Sequence, residues 1–141
     1  MKEVVIGSDH AGFELKEVVV QYLQTKGYNV LDIGTESAER VDYPDFAHPV
    51  AEMVNNGEKE LGILICGSGN GVNMAANKHK NVRSALSWNK EIAELARAHN
   101  DANILALPAR FINEQTAKDI IDKFLNTAFE GGRHSARINK I

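Results

Sequence analysis

Residues Leu61 to Cys66 form an apolar run that ends on the only cysteine in the chain, and Gly67, Gly69 and Gly71 follow at alternate positions. An apolar stretch of helical character, Val72 to Ala76, comes next. Strand, tight loop and helix start are the natural reading of that order. A run that is apolar almost throughout suits a strand buried on both faces, and such strands belong to parallel sheets covered by helices. The loop would turn several backbone N–H groups toward one point, where a helix N-terminus adds partial positive charge. An anion, or an oxygen that becomes anionic during a reaction, could be held there, with a thiol at the lip.

The remaining pattern repeats the strand–helix alternation. Glu3 to Gly7 reads as a first strand, followed by the polar loop Ser8 to Gly12. Phe13, Leu15, Val18, Val19, Tyr22 and Leu23 recur near a period of 3.6, which predicts a helix over Phe13 to Lys26, stopped by Gly27. Tyr28 to Ile33 alternates and ends at Gly34, giving strand two. Thr35 to Tyr43 reads as a loop. Asp42 or Asp45 could cap a helix running to about Asn56, with Gly57 as its stop. Pro49 lies inside that segment, so a kink or a start near Pro49 is expected. Leu61 to Cys66 is strand three, with a helix to about Lys78 after the glycine loop. Val82 to Leu86 is strand four. Lys90 to Ala98 reads as a helix with Ile92, Ala93, Leu95 and Ala96 inward. Asn103 to Leu107 is strand five. Asn113 caps a helix to about Thr127, with Ala117, Ile120, Ile121, Phe124 and Leu125 as its apolar stripe. Phe129 to Ile141 is a tail carrying Gly131, Gly132, Arg133, His134 and Arg137.

Five strands alternating with helices imply a parallel sheet with helices on both faces. In open parallel sheets the ligand sits at the carboxyl ends of the strands. The 141 residues suit one domain, spanning 1–141, and the net charge of -3 gives no bulk attraction to nucleic acid. A single cysteine cannot form an internal disulfide, which fits a reducing compartment. No signal-peptide layout is visible, and no apolar run approaches the ~20 residues of a membrane helix. The expectation is a cytoplasmic protein without membrane or nucleic-acid partners.

Each candidate for chemistry has a plain alternative. Cys66 is either a small buried hydrophobe or a reactive thiol, and a helix N-terminus favours the second. The loop Gly67-Ser68-Gly69-Asn70-Gly71 is neither a P-loop nor a dinucleotide fingerprint. It is a strand-to-helix turn or an oxyanion cradle. Asp9-His10 is a capping aspartate with a surface histidine, or a contact to a sugar hydroxyl or phosphate. His99 ends a helix, where a positive charge would suit the dipole, and histidine is the side chain best suited to a proton shuttle. Arg133 and Arg137, four apart, would share a helix face and could clamp a phosphate. His48 and His79 read as surface residues. Trp88-Asn89 could line the far end of a pocket. No Cys/His pairing shows metal-ligand spacing, so no residue is assigned to a metal.

Taken together, these residues closely resemble type B ribose-5-phosphate isomerases, of the family that also contains galactose-6-phosphate and allose-6-phosphate isomerases. The resemblance is carried by Gly7-Ser8-Asp9-His10-Ala11-Gly12, Asp42-Tyr43-Pro44, Cys66 to Gly71, Ala76-Asn77-Lys78, His99-Asn100-Asp101-Ala102-Asn103 and Glu130-Gly131-Gly132-Arg133-His134, almost end to end. It implies a three-layer α/β/α sandwich with a Rossmann-like sheet of order 2-1-3-5-4. It also implies aldose–ketose isomerisation of ribose 5-phosphate, a step of the pentose phosphate pathway, through an enediolate and without a cofactor. Cys66 matches the family's base and His99 its ring-opening residue, with Ser68 beside them as a catalytic hydroxyl. Some relatives use a glutamate further along the loop helix. Gly71 to Ala75 holds none, which fits the cysteine branch. Asp9, His10, Tyr43, Gly67, Ser68, Gly69, Asn70, Gly71, Asn100, Arg110, Arg133 and Arg137 match substrate-binding positions. Homodimers or tetramers with shared sites are expected, with Tyr43, His99 or the tail near the partner. The rival readings are a six-carbon sugar-phosphate isomerase, a non-catalytic sugar-phosphate sensor, and a redox protein that would need an external thiol.

Overall fold

A computed structural model describes residues 2–141. Five parallel strands pair in the order β2-β1-β3-β5-β4. They are β1 (Glu3–Ser8), β2 (Asn29–Asp32), β3 (Leu61–Cys66), β4 (Ser84–Leu86) and β5 (Ile104–Pro108). The helices are α1 (Phe13–Thr25), α2 (Pro44–Asn55), α3 (Asn70–Ala76), α4 (Lys90–Asn100), α5 (Glu114–Asn126) and α6 (Arg133–Ile138), with a short 3-10 turn at His10–Gly12. The order implied by the family resemblance is the one observed.

Alternate side chains of a strand point to opposite faces, and the core divides accordingly. Val4, Ile6, Ile63, Ile65, Leu105 and Leu107 pack under α1, α4 and α5. Val5, Leu64, Cys66 and Ala106 pack under α2 and α3, against Val50, Val54 and Val72. The predicted stripe of α5 is buried in full, and Asn113 caps that helix by accepting the Thr116 N–H at 2.8 Å.

Several local expectations are corrected. Helix α2 starts at Pro44, not near Pro49, and neither Asp42 nor Asp45 caps it with a side chain. Proline at the first position has the φ a helix needs and lacks only an N–H that would go unpaired there. Leu95 is exposed, while Ala93, Ala96 and Ala98 are buried. Leu95 lies two residues from Ala93, about 200° round the helix, so both cannot face the sheet.

Lys16 gives no local sign of being a core residue, yet it is only 1% exposed. Its Nζ meets Asp32 Oδ2 at 2.6 Å and Glu17 Oε1 at 3.1 Å. Asp32 Oδ1 accepts the Gly34 N–H at 2.9 Å, and Gly34 O accepts the Ser8 N–H at 2.8 Å. A buried ammonium therefore braces the ends of β2 and β1, next to Asp9. Removing one partner of a buried pair strands the other charge. Asp32→Ala is expected to lower unfolding stability by about 3 kcal/mol, the low end of that range because Glu17 remains. Urea unfolding would read the loss, and adding Lys16→Met should recover most of it.

Candidate active site

The strand order sets the ends of β1, β3 and β5 side by side. A cleft of about 480 Å³ opens there, lined by Asp9, His10, Ala11, Tyr43, Cys66, Gly67, Ser68, Gly71, Arg110 and Phe111. Cys66 is 5% exposed. It is the last residue of β3, and its carbonyl accepts the Ala109 N–H at 2.9 Å. Arg110 donates its N–H to Gly67 O at 3.0 Å. The β3 and β5 loops are thus tied together by their own backbones.

Two glycines of the loop are required by geometry. Gly69 takes φ 76° to turn the chain into α3, and a Cβ there would lie 3.2 Å from backbone atoms of Leu107 and Pro108. A Cβ on Gly71 would come within 2.6 Å of the Tyr43 ring. Tyr43, just before α2, therefore closes over the first turn of α3. The first intrahelical bond joins Asn73 N–H to Gly69 O at 3.2 Å. Among the described residues the Gly71 and Val72 N–H groups have no acceptor, while Asn70 N–H is taken by Ser68 Oγ at 3.2 Å. Unpaired donors remain at the head of this turn, as the alternate glycines suggested.

Asp9 is buried and accepts the Gly12 N–H at 3.0 Å through Oδ1, so the capping role is real. His10 Nδ1 lies 3.2 Å from both the N–H and the carbonyl oxygen of Val41, which pins the 35–43 loop beside the cleft. Phe111, missed in the sequence, is 75% exposed at the cleft wall. Trp88-Asn89 does not line it. Trp88 is exposed, and Asn89 caps α4 by accepting the Ile92 N–H at 2.9 Å.

His99, Asn100, Arg133 and Arg137 do not line this cleft. Helix α4 runs antiparallel to β5, so its C-terminal residues His99 and Asn100 lie at the edge where β5 begins. Cys66 is paired with Pro108, at the edge where β5 ends. The five residues of β5 span about 13 Å at roughly 3.3 Å per step. One chain therefore carries two half-constellations at opposite ends of the strands. In the second, the His99 ring stacks on His134 with centroids 4.2 Å apart and planes 15° from parallel. Glu130 Oε1 lies 3.8 Å from His99 Nε2 and 3.5 Å from His134 Nε2. Burial lowers the basicity of His134, with His99, Arg133 and Arg137 adding to the effect and Glu130 opposing it. Arg133 and Arg137 are both exposed, on α6.

His48 and His79 are not separate surface residues. Both are half-buried, and His48 Nδ1 lies 2.8 Å from His79 Nε2, joining α2 to the turn after α3. Their 31-residue separation hides the pairing from a local reading.

The sequence pattern of the ribose/galactose isomerases matches residues 4–141. The chain belongs to the ribose/galactose isomerase family. Members of this family are aldose–ketose isomerases. Ribose-5-phosphate isomerase B of Escherichia coli is 45% identical over 141 residues, covering 100% of this chain and 95% of that one. A ribose 5-phosphate isomerase structure from Thermotoga maritima is 50% identical with a TM-score of 0.97, covering 99% of this chain and 96% of that one. The Mycoplasma genitalium ribose-5-phosphate isomerase B, solved with bound ribulose-5-phosphate, is 48% identical with a TM-score of 0.94, covering 98% and 92%. Family membership accounts for the sheet order. Among the described residues, no helix is long and apolar enough to cross a membrane.

Proposed function

We propose that the chain interconverts ribose 5-phosphate and ribulose 5-phosphate, in the cytoplasm, as a homodimer or higher assembly with sites shared between copies. The observation that carries the reading is Cys66 in a cleft at the strand ends, beside a turn with unpaired N–H groups. The backbone around it matches, at a TM-score of 0.94, an enzyme that holds ribulose-5-phosphate.

The chemistry follows from what the groups can do. The substrate enters as a furanose. Protonated His99 of the partner subunit gives its proton to the ring oxygen as the bond from C1 to that oxygen breaks, and the anomeric hydroxyl loses its proton to form the aldehyde. The Cys66 thiolate then takes the proton on C2. Charge moves to O1, where N–H donors of the Gly67–Gly71 turn and the Ser68 hydroxyl meet it. A preorganised donor of this kind contributes about 3 kcal/mol to the transition state. The proton of the C2 hydroxyl passes to O1 as the thiol returns its proton to C1, and the carbonyl of the ketose forms at C2. Arg133 and Arg137 of the partner subunit, with Arg110, would hold the phosphate and supply binding energy remote from the reacting carbons. Sharing across two copies is supported by the split within one chain, since His99 and Cys66 lie toward opposite ends of the strands.

Isomerase rates on ribose 5-phosphate, allose 6-phosphate and galactose 6-phosphate, measured side by side, test the substrate. The highest kcat/KM is expected on ribose 5-phosphate, and a six-carbon preference would replace this reading. Arg133→Ala and Arg137→Ala are expected to raise KM for ribose 5-phosphate by about 10–100-fold each, since charge-assisted bonds to an anion are lost. The same variants should leave the weak binding of unphosphorylated ribose unchanged. An equal loss for both sugars would remove the phosphate role.

A further inference from the structure

The second half-constellation contains more than a proton-transfer residue. We propose that His99, Glu130 and His134 form a site for one zinc-class divalent cation, and that its occupancy takes His99 out of proton transfer. The donor atoms of the three residues lie within 4.8 Å of one another. Donors around tetrahedral zinc, at bonds of about 2.0–2.1 Å, are roughly 3.4 Å apart. The separations from Glu130 Oε1, 3.5 Å and 3.8 Å, already approach that figure. The His99 ring is 37% exposed, and binding requires it to rotate out of its stack on His134 so that both imidazoles point to a common ion.

The backbone builds this arrangement. Glu130 N–H donates to Ala98 O at 3.0 Å, fastening the tail to the last turn of α4. Gly131 and Gly132 take φ values of 70° and 58°, and His134 N–H closes on Gly131 O at 3.2 Å. The chain turns back so that Glu130 and His134 meet the same ring. His134 has a side chain only 8% exposed, and its Nε2 has no hydrogen-bond partner. A buried polar atom left unpaired is costly and calls for an occupant. Two imidazoles and one carboxylate make a known zinc donor set with a fourth position open. Glu130, 58% exposed, leaves that position open to solvent. The exposed Arg133 and Arg137 oppose a cation, and solvent screening limits their effect.

The inhibitory part rests on the reading of His99 given under the proposed function; the binding part does not. The test titrates the purified protein with Zn²⁺ against a chromophoric chelator, and follows Co²⁺ by its visible spectrum. One ion per chain is expected, with no thiolate-to-cobalt charge-transfer band. Affinity should fall by about 10-fold in Glu130→Gln and by about 100-fold in His134→Ala, and stay unchanged in Cys66→Ser. Zn²⁺ should stop isomerisation by the wild-type protein, a chelator should restore it, and Mg²⁺ should not imitate it. Glu130→Gln should need about 10-fold more Zn²⁺ for the same fractional inhibition, measured against its own metal-free turnover. Binding that vanishes in Cys66→Ser, or persists undiminished in both Glu130→Gln and His134→Ala, overturns the site. Binding that follows the variants while turnover ignores Zn²⁺ overturns the inhibition and, with it, the role given to His99.

Discussion

Cys66→Ala is expected to abolish isomerisation, lowering turnover on the order of 10³-fold or more, while leaving the fold intact. The carbon-bound proton next to a carbonyl is weakly acidic, and without a positioned base its removal is slow. The other candidate bases in the cleft are engaged elsewhere: Asp9 accepts the Gly12 N–H, and His10 Nδ1 is held at the Val41 backbone. The change costs little structure, because Cys66 contributes one sulfur to a cluster that also holds Leu64, Val72 and Ala106. A loss of about 1 kcal/mol is the ordinary size for such a substitution. Circular dichroism and the urea midpoint check the fold, and a coupled assay checks turnover. Near-normal turnover would remove Cys66 from the role of base.

His99→Ala is expected to act on one direction of the reaction more than on the other. Starting from ribose 5-phosphate, the furanose must open, and loss of the positioned acid should cost about 10²-fold or more in kcat. Ribulose 5-phosphate has its C5 oxygen bound in the phosphate ester, so no five-membered hemiketal is open to it. Starting from the ketose, proton transfer at carbon proceeds without ring opening and the product closes its ring in solution. The ketose-consuming rate should therefore fall much less in single-turnover measurements. Equal losses in both directions would assign His99 to the carbon-proton step or to binding instead.

How much of this was legible in the sequence depended on how local each cause is. Leu61 to Cys66 could be read to the residue, because an apolar run ending at glycines needs no distant partner to declare itself. The stripe of α5 was legible for the same reason. Helix α2 was harder, since Pro44 and Pro49 compete and only the packing of Ala47, Val50 and Val54 on the sheet settles where the helix starts. Lys16 was invisible because its partner Asp32 is on another strand. The His48–His79 and His99–Glu130–His134 groupings escaped for the same reason, being assembled from separate elements. The cleft residues were found by their glycines and by family resemblance. The division of the site residues between the two ends of the strands follows from the antiparallel run of α4 and β5, which spacing alone does not reveal.

The central claim is that Cys66 of one copy works with His99 of another. The direct test joins Cys66→Ala and His99→Ala chains, each with its own tag, and isolates the mixed dimer. Each variant alone should be inactive from ribose 5-phosphate. In a two-fold dimer the mixed species has one site with both mutations and one with neither, so it should show about half of wild-type turnover. A mixed dimer as inactive as its parents would place Cys66 and His99 in the same copy's site, or in no common site, and would contradict the account.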